Sequence, residues 1–303
     1  MISIPRPILF CLFLVAMTRA HGSDTKAGFF LPDNVSEVTF RFRSIRNLVI
    51  LPVVINDTLN VNLVLDTGCR NLVLFGKKFQ HFFRTEPDKN IQFSGLGNGV
   101  PINGKLSLNN KVSIHAVLGE KIPIILIPQQ NVFSGYTNIH GVIGYDIFIK
   151  FEIELNPMQR LITFRPAANA VLSDAYEKIP LRIEDSRPLI KSQIFFQKSE
   201  GQTCDLMLDT GSSLGLLVKT SDVKKFPAKA NTKILGKGFN GDVMGFETIA
   251  EKLRLNDFEI EAVATGITYS AWHNYASVGM DVLKNYTIVL NYCKAYAGFK
   301  KAL

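Results

Sequence analysis

The chain has 303 residues, of which 47% are hydrophobic and 20% charged. That balance excludes a disordered or low-complexity protein, and the length suggests two domains. The formal net charge is +8, but pairs such as Lys77-Lys78 and Lys224-Lys225 are scattered, with no basic run and no zinc-knuckle spacing. This predicts a solvated mixed surface and no nucleic-acid partner.

In chain order, the first feature is Arg6 followed by the short apolar run Ile8 to Ala16, with small residues at Ala20 and Gly22. This is the layout of a secretory signal peptide over 1–22, and the run is too short to span a membrane. No later stretch reaches 18 apolar residues. The mature chain is therefore expected to carry no transmembrane segment and to be exported, to a periplasmic or extracellular location. Removal of the leader leaves Cys69, Cys204 and Cys293. Exported chains can form disulfides, which makes Cys204–Cys293 one candidate pair, and three buried thiols are the other reading. No Cys-x-x-Cys exists, so no metal site is expected.

Leu48 to Ile55 is a β-prone apolar run, Asn56-Asp57-Thr58 supplies turn chemistry, and Val61, Leu63 and Leu65 alternate toward one face. The hairpin so predicted ends in Asp66-Thr67-Gly68, followed by the apolar run Leu72 to Phe75. Gly95-Leu96-Gly97-Asn98-Gly99 and Gly104 come next. It is a poor dinucleotide-loop match, because it leads to Pro101 and alternating Ile102, Leu106 and Leu108 rather than to a helix. A short helix is expected at Tyr145–Phe151, running into an Ile-rich strand. Ala167 to Glu177 is small and polar and reads as a linker.

The second half repeats the first. Ile190 to Phe196, a turn at Glu200-Gly201, and Leu206 and Leu208 rebuild the hairpin. It ends in Asp209-Thr210-Gly211, 143 residues after the first triplet. Leu216-Leu217-Val218 follows, then Gly236-Lys237-Gly238 and Gly245. Ile143-Gly144-Tyr145-Asp146 has its counterpart in Val278-Gly279-Met280-Asp281, with a second short helix expected at Met280–Tyr286. The fold class is therefore mostly β, with two duplicated lobes at 38–166 and 178–303 and few helices.

A single Asp-Thr-Gly after a strand reads as a turn. Two copies at the same point of a repeat read differently, because a two-fold axis can bring both carboxylates together. Like charges that close hold one proton between them. The ionised carboxylate can deprotonate a water, and the protonated one can donate to a peptide carbonyl oxygen. Hydrolysis then needs no metal, cofactor or covalent intermediate. The shared-proton logic is that of the aspartic proteases, a worked example of the underlying principle.

The chain resembles the aspartic peptidase superfamily of pepsins and retropepsins. Leu65-Asp66-Thr67-Gly68 and Leu208-Asp209-Thr210-Gly211-Ser212 match its active-site motif. Val142-Ile143-Gly144 and Ser277-Val278-Gly279 match its hydrophobic–hydrophobic–glycine motif, which in the family supports the active-site loop. The likeness is greatest to exported bacterial retropepsin-like proteins with two repeats in one chain. The resemblance implies a bilobal pepsin-like fold of two retropepsin-like β-lobes and an aspartic endopeptidase acting on extended peptide or protein substrates. Asp66 and Asp209 would be catalytic, with Thr67, Gly68, Thr210, Gly211 and Ser212 in support. Gly95, Gly97 and Gly99 would belong to a glycine-hinged flap around 92–106, with a second flap or its remnant at 233–247. Since one chain carries both aspartates, a monomer is expected.

Three departures stand out. Cys69 occupies a position where the family usually has Ser or Ala, which predicts unequal aspartates. No flap tyrosine is evident between Gln92 and Lys105, and the stretch Ser23 to Glu37 is too short for a pepsin-like prosegment. Other hydrolase classes lack support: there is no Gly-x-Ser-x-Gly and no His-Glu-x-x-His, and His81, His115, His140 and His273 have no motif context. The rival reading is a catalytically inactive peptide-binding module on the same fold.

Overall fold

The computed structural model describes residues 26–86, 89–93, 95–97, 99–129, 132–136, 138–196, 200–221, 232–269 and 275–301. The leader 1–22, Asn98 and His273 lie outside the described residues. Among those described, no helix is long and apolar enough to cross a membrane.

The molecule is mostly β and bilobal, with short helices, as the repeat predicts. The predicted hairpins form at Leu48–Ile55 with Leu59–Leu65 and at Arg187–Phe195 with Gln202–Asp209. Their alternating apolar residues explain why. Leu63 and Leu65, and later Leu206 and Leu208, are almost wholly buried, each worth about 1.5–3 kcal/mol against exposure. Asn56 and Asp57 turn the first hairpin with φ of 49° and 64°, and their short polar side chains tolerate that left-handed conformation. The helices are single turns, Tyr145–Phe148 and Met280–Leu283. They are shorter than their predicted spans, because the chain re-enters a sheet at Phe151 and at Tyr286.

Each half builds its own large sheet, nine-stranded in the first and eight-stranded in the second. A third, six-stranded sheet draws on both halves. At its centre Phe151–Asn156 pairs antiparallel with Tyr286–Asn291, with Ile153 opposite Leu290 and Leu155 opposite Ile288. These are equivalent residues of the repeat in reciprocal pairing, so the pseudo-two-fold axis runs through this strand pair.

The shared sheet modifies the division drawn from sequence. Val38–Arg41 and Leu161–Pro166, at the two ends of the predicted first lobe, belong to it. Gly28–Phe30, ahead of that lobe's predicted start, joins the first lobe's own sheet against Val117–Ile127. The predicted linker is tied down as well. Asn291 donates to the Ala167 carbonyl at 3.0 Å and Lys294 to the Ala170 carbonyl at 2.7 Å, and Glu177 opens a strand against the chain's last one. Within the sheet, the buried Glu152 accepts from the Tyr296 hydroxyl and from Asn291. The core is rich in phenylalanine, with Phe148, Phe151, Phe164 and Phe299 almost wholly buried. All three cysteines of the described region are free thiols.

Candidate active site

Each triplet ends a strand that is clamped in the middle of its sheet. Leu59–Leu65 lies between the Leu48–Ile55 strand and Gly141–Ile143, the latter running parallel to it. Gln202–Asp209 is held in the same way by Ala276–Gly279. The second sequence motif thereby braces the first. Asp66 N–H donates to the Ile143 carbonyl at 2.9 Å, and Tyr145 N–H to the Cys69 carbonyl at 2.8 Å. In the second lobe, Met280 N–H donates to the Ser212 carbonyl at 2.8 Å. A side chain at Gly144 would overlap the Cys69 carbonyl, and one at Gly279 would overlap that of Leu214.

The two triplets interlock through their threonines, both almost fully buried. Thr67 Oγ1 donates to the Leu208 carbonyl at 2.6 Å and accepts from Thr210 N–H at 3.0 Å. Thr210 Oγ1 donates to the Leu65 carbonyl at 2.7 Å and accepts from Thr67 N–H at 3.1 Å. Four reciprocal bonds fix the strand ends face to face. The carboxylates fold back on their own loops, Asp66 Oδ1 accepting from Gly68 N–H at 2.7 Å and Asp209 Oδ1 from Gly211 N–H at 3.1 Å.

The glycines sit between the aspartates. A methyl group on Gly68 would lie 3.0 Å from Asp66 Oδ1 and 3.6 Å from Asp209 Oδ1. The sum of those two distances is the most that can separate the two oxygens. A methyl on Gly211 would overlap the Asp66 carboxylate. Burial and then the charge of Asp209 raise Asp66 to about 7. Burial also raises Asp209, against the pull of the nearby Lys219 ammonium and the hydrogen bond from Gly211. The pair is thus unequal in its surroundings, with the Asp209 charge pushing Asp66 up and the Lys219 ammonium drawing Asp209 down.

The inequality has a different origin from the one the sequence suggests. The Cys69 thiol donates to the Asn71 carbonyl at 3.3 Å and is raised by burial, so it stays protonated. The Ser212 hydroxyl accepts from Leu214 N–H at 3.2 Å. The asymmetry comes instead from Lys219, 6% exposed with Nζ 4.2 Å above the Tyr275 ring, whose charge draws down Asp209, while Arg187 favours ionisation of both aspartates. Sequence reading missed both. The available signal was that the apolar run after the second triplet stops at Val218, where the first continues to Phe75. Tyr292 was missed too. Its hydroxyl is buried without a hydrogen-bond partner among the described residues and is raised by burial and by the charges of Asp66 and Asp209.

Two hairpins extend from the lobes, Asn90–Phe93 with Ile102–Ile114 and Lys233–Gly238 with Gly241–Leu255. The second is a full hairpin rather than a remnant, and the two meet at their tips. Asn240 donates to the Gly99 carbonyl at 3.0 Å, and the Phe239 ring packs edge-on against Phe75, centroids 5.4 Å apart. Close contact accounts for glycine at the first tip, since a side chain at Gly97 would run into the backbone of Gly241 and one at Gly99 into that of Asn240, while one at Gly95 would press on Asn240 and Phe239. Beside the second triplet a cavity of about 330 Å³ is lined by Leu214, Gly215, Leu235 and Ile249 among others. It adjoins the Asp209 loop but neither aspartate lines it.

No model of a known protein family matches the chain, and no curated protein matches it.

Among the described residues no group of three or more His, Cys, Asp and Glu is placed to hold a metal. His140 accepts from Asn62 N–H through Nδ1, and His115 stacks on Phe40. Both are satisfied structurally.

Proposed function

We propose that the protein is an aspartic endopeptidase in which Asp66 and Asp209 act as one unit. The observation that carries this reading is the reciprocal threonine network, which fixes the two strand ends that bear Asp66 and Asp209 face to face across a pseudo-two-fold axis. With one shared proton, Asp66 donates to the carbonyl oxygen of the scissile peptide. Asp209, kept ionised by Lys219, takes a proton from a water placed between the carboxylates. The hydrated carbonyl collapses with proton transfer to the leaving nitrogen. An extended peptide would lie beneath the two hairpin tips, which act as flaps. Both aspartates come from one chain, so a monomer suffices, and the N-terminal apolar run is read as an export signal.

The test is cleavage of a denatured protein mixture across pH, with and without a statine-type inhibitor. Asp66→Asn and Asp209→Asn should each lower the rate by about 10³-fold or more. Activity should fall as pH rises through about 7, where Asp66 gives up the shared proton, and fall again in acid, where Asp209 gains one. Undiminished hydrolysis by Asp209→Asn would refute the mechanism. Tight peptide binding by the wild-type chain without cleavage at any pH would assign it to an inactive peptide-binding module.

A further inference from the structure

The repeat allows the two halves of the cleft to be compared residue by residue. In the first lobe Ile50 pairs with Val64, and in the second Leu189 pairs with Met207. The preceding turns also correspond. Arg46 and Asn47 have φ of 49° and 68°, and Asp185 and Ser186 have 52° and 68°. Leu48, opposite Ile45, is therefore the counterpart of Arg187, opposite Glu184. Further on, Val142 pairs with Val73 and Ser277 with Leu217, which makes Phe75 the counterpart of Lys219.

On the first lobe, Leu48 and Phe75 belong to an apolar cluster with Ile50, Ile102 and Ile125, on which Phe93 and Phe239 of the flaps pack. This cluster also includes Cys69, beside Asp66. On the second lobe the same two positions carry cations, and both act electrostatically on Asp209. Lys219 is buried under Tyr275, with no carboxylate in ion-pair range among the described residues. Among the described residues Arg187 ion-pairs only with Asp185, at 3.3 Å, and that carboxylate is 80% exposed. Glu184 is engaged by Arg182 at 2.9 Å, away on the surface.

We propose that the second lobe's half of the cleft is a cationic subsite, with Lys219 at its floor and Arg187 at its rim, that receives an acidic side chain of the bound peptide. The apolar half on the first lobe receives an apolar side chain. This rests on the reading of the cleft as a peptide-binding site, and it specifies the peptide.

The charge balance supports it. A dyad sharing one proton carries one negative charge, while Lys219 and Arg187 carry two positive ones, and Asp185 beside Arg187 is 80% exposed, so that water screens it and it offsets the excess only weakly. An Asp or Glu side chain neutralises the excess, and in a partly desolvated site such an ion pair is stronger than at the surface. Lys219 is pulled down by burial to about 8, with Asp209 holding it up, so it is cationic over the pH range in which Asp66 keeps its proton.

The test is peptide binding by the full-length Asp66→Asn protein, followed by fluorescence anisotropy. That variant keeps one ionised carboxylate, Asp209, and so preserves the charge of the proton-sharing dyad. The probes are labelled octapeptides with a central apolar residue flanked by Glu, Asp, Gln, Asn, Leu or Lys. Glu and Asp peptides should bind at least about tenfold tighter than the Gln and Asn peptides. The ratio should fall toward one in Lys219→Met, which preserves volume, and in Arg187→Gln, which keeps a polar rim. Equal binding of acids and amides, an acid preference that survives both substitutions, or no peptide binding at all overturns the proposal. So does a shifted pH–rate profile in Lys219→Met with the acid preference intact, since the lysine would then serve only the dyad. Acid-selective binding without wild-type cleavage would leave this subsite standing while the endopeptidase reading fails. Aspartate-dependent cleavage without acid preference would do the reverse.

Discussion

The two lobes repeat the same hairpin, triplet, glycine brace and flap, yet the surfaces they turn toward the aspartates differ. On the first lobe Cys69, Leu48 and Phe75 form part of one apolar cluster, all buried and uncharged. Toward Asp209 come Lys219 and Arg187. The scaffold of hydrogen bonds is symmetric, whereas the electrostatics are not. Duplication supplies the pairing of carboxylates, and divergence at two positions puts cations on the second lobe's side of the pair.

The largest test of that contrast is the pair of Asp→Asn variants. Both should be inactive, but their stabilities should separate. A carboxyl raised by burial is neutral in the fold while its unfolded counterpart is ionised. The native state is thereby progressively destabilised as pH rises from about 4 toward the folded value. Asp66→Asn should therefore raise the melting temperature near pH 7 and leave it nearly unchanged near pH 3. Asp209→Asn should gain less, because Lys219 already offsets part of the penalty and would lose its partner. A larger gain for Asp209→Asn would invert the assigned roles.

The threonines should give the opposite result, equality. Thr67→Ala and Thr210→Ala each strand one buried carbonyl and one N–H, at a cost of about 1–3 kcal/mol in unfolding free energy. Urea titration should return similar losses for both, with Thr→Ser recovering most of each. A marked inequality would show that the network is less symmetric than its distances.

The flaps sharpen the comparison at smaller effect. Gly99→Ala would press a methyl group into the Asn240 backbone and should separate the tips, lowering kcat/KM by several-fold to tenfold with little change in stability. Asn240→Ala removes the Gly99 hydrogen bond and should cost less, since nothing clashes. The smallest effect is expected for Cys69→Ser. The thiol bonds to the Asn71 carbonyl rather than to Asp66, so the upper limb of the pH–rate profile should hardly move. A shift comparable to that of Lys219→Met would return Cys69 to a tuning role.

Local physics wrote much of this molecule into the sequence. Alternating apolar residues and Asn-Asp chemistry fixed the hairpins at Leu48–Ile55 and Leu59–Leu65, and periodicity with two matched triplets made duplication and a paired-carboxylate site legible. These features depend on residues near one another in the chain, and a repeat exposes each of them twice. The shared sheet was not legible. Which strands leave a lobe to pair across the axis depends on edges that exist only once both halves are folded. The crowding of the hairpin-tip glycines was not legible either, because close approach to Asn240 and Gly241 is a contact between segments more than 140 residues apart. Lys219 and Arg187 read as ordinary surface charges for the same reason. A side chain's charge is in the sequence, but its burial and its distance from Asp209 arise only when strands far apart in the chain pack side by side.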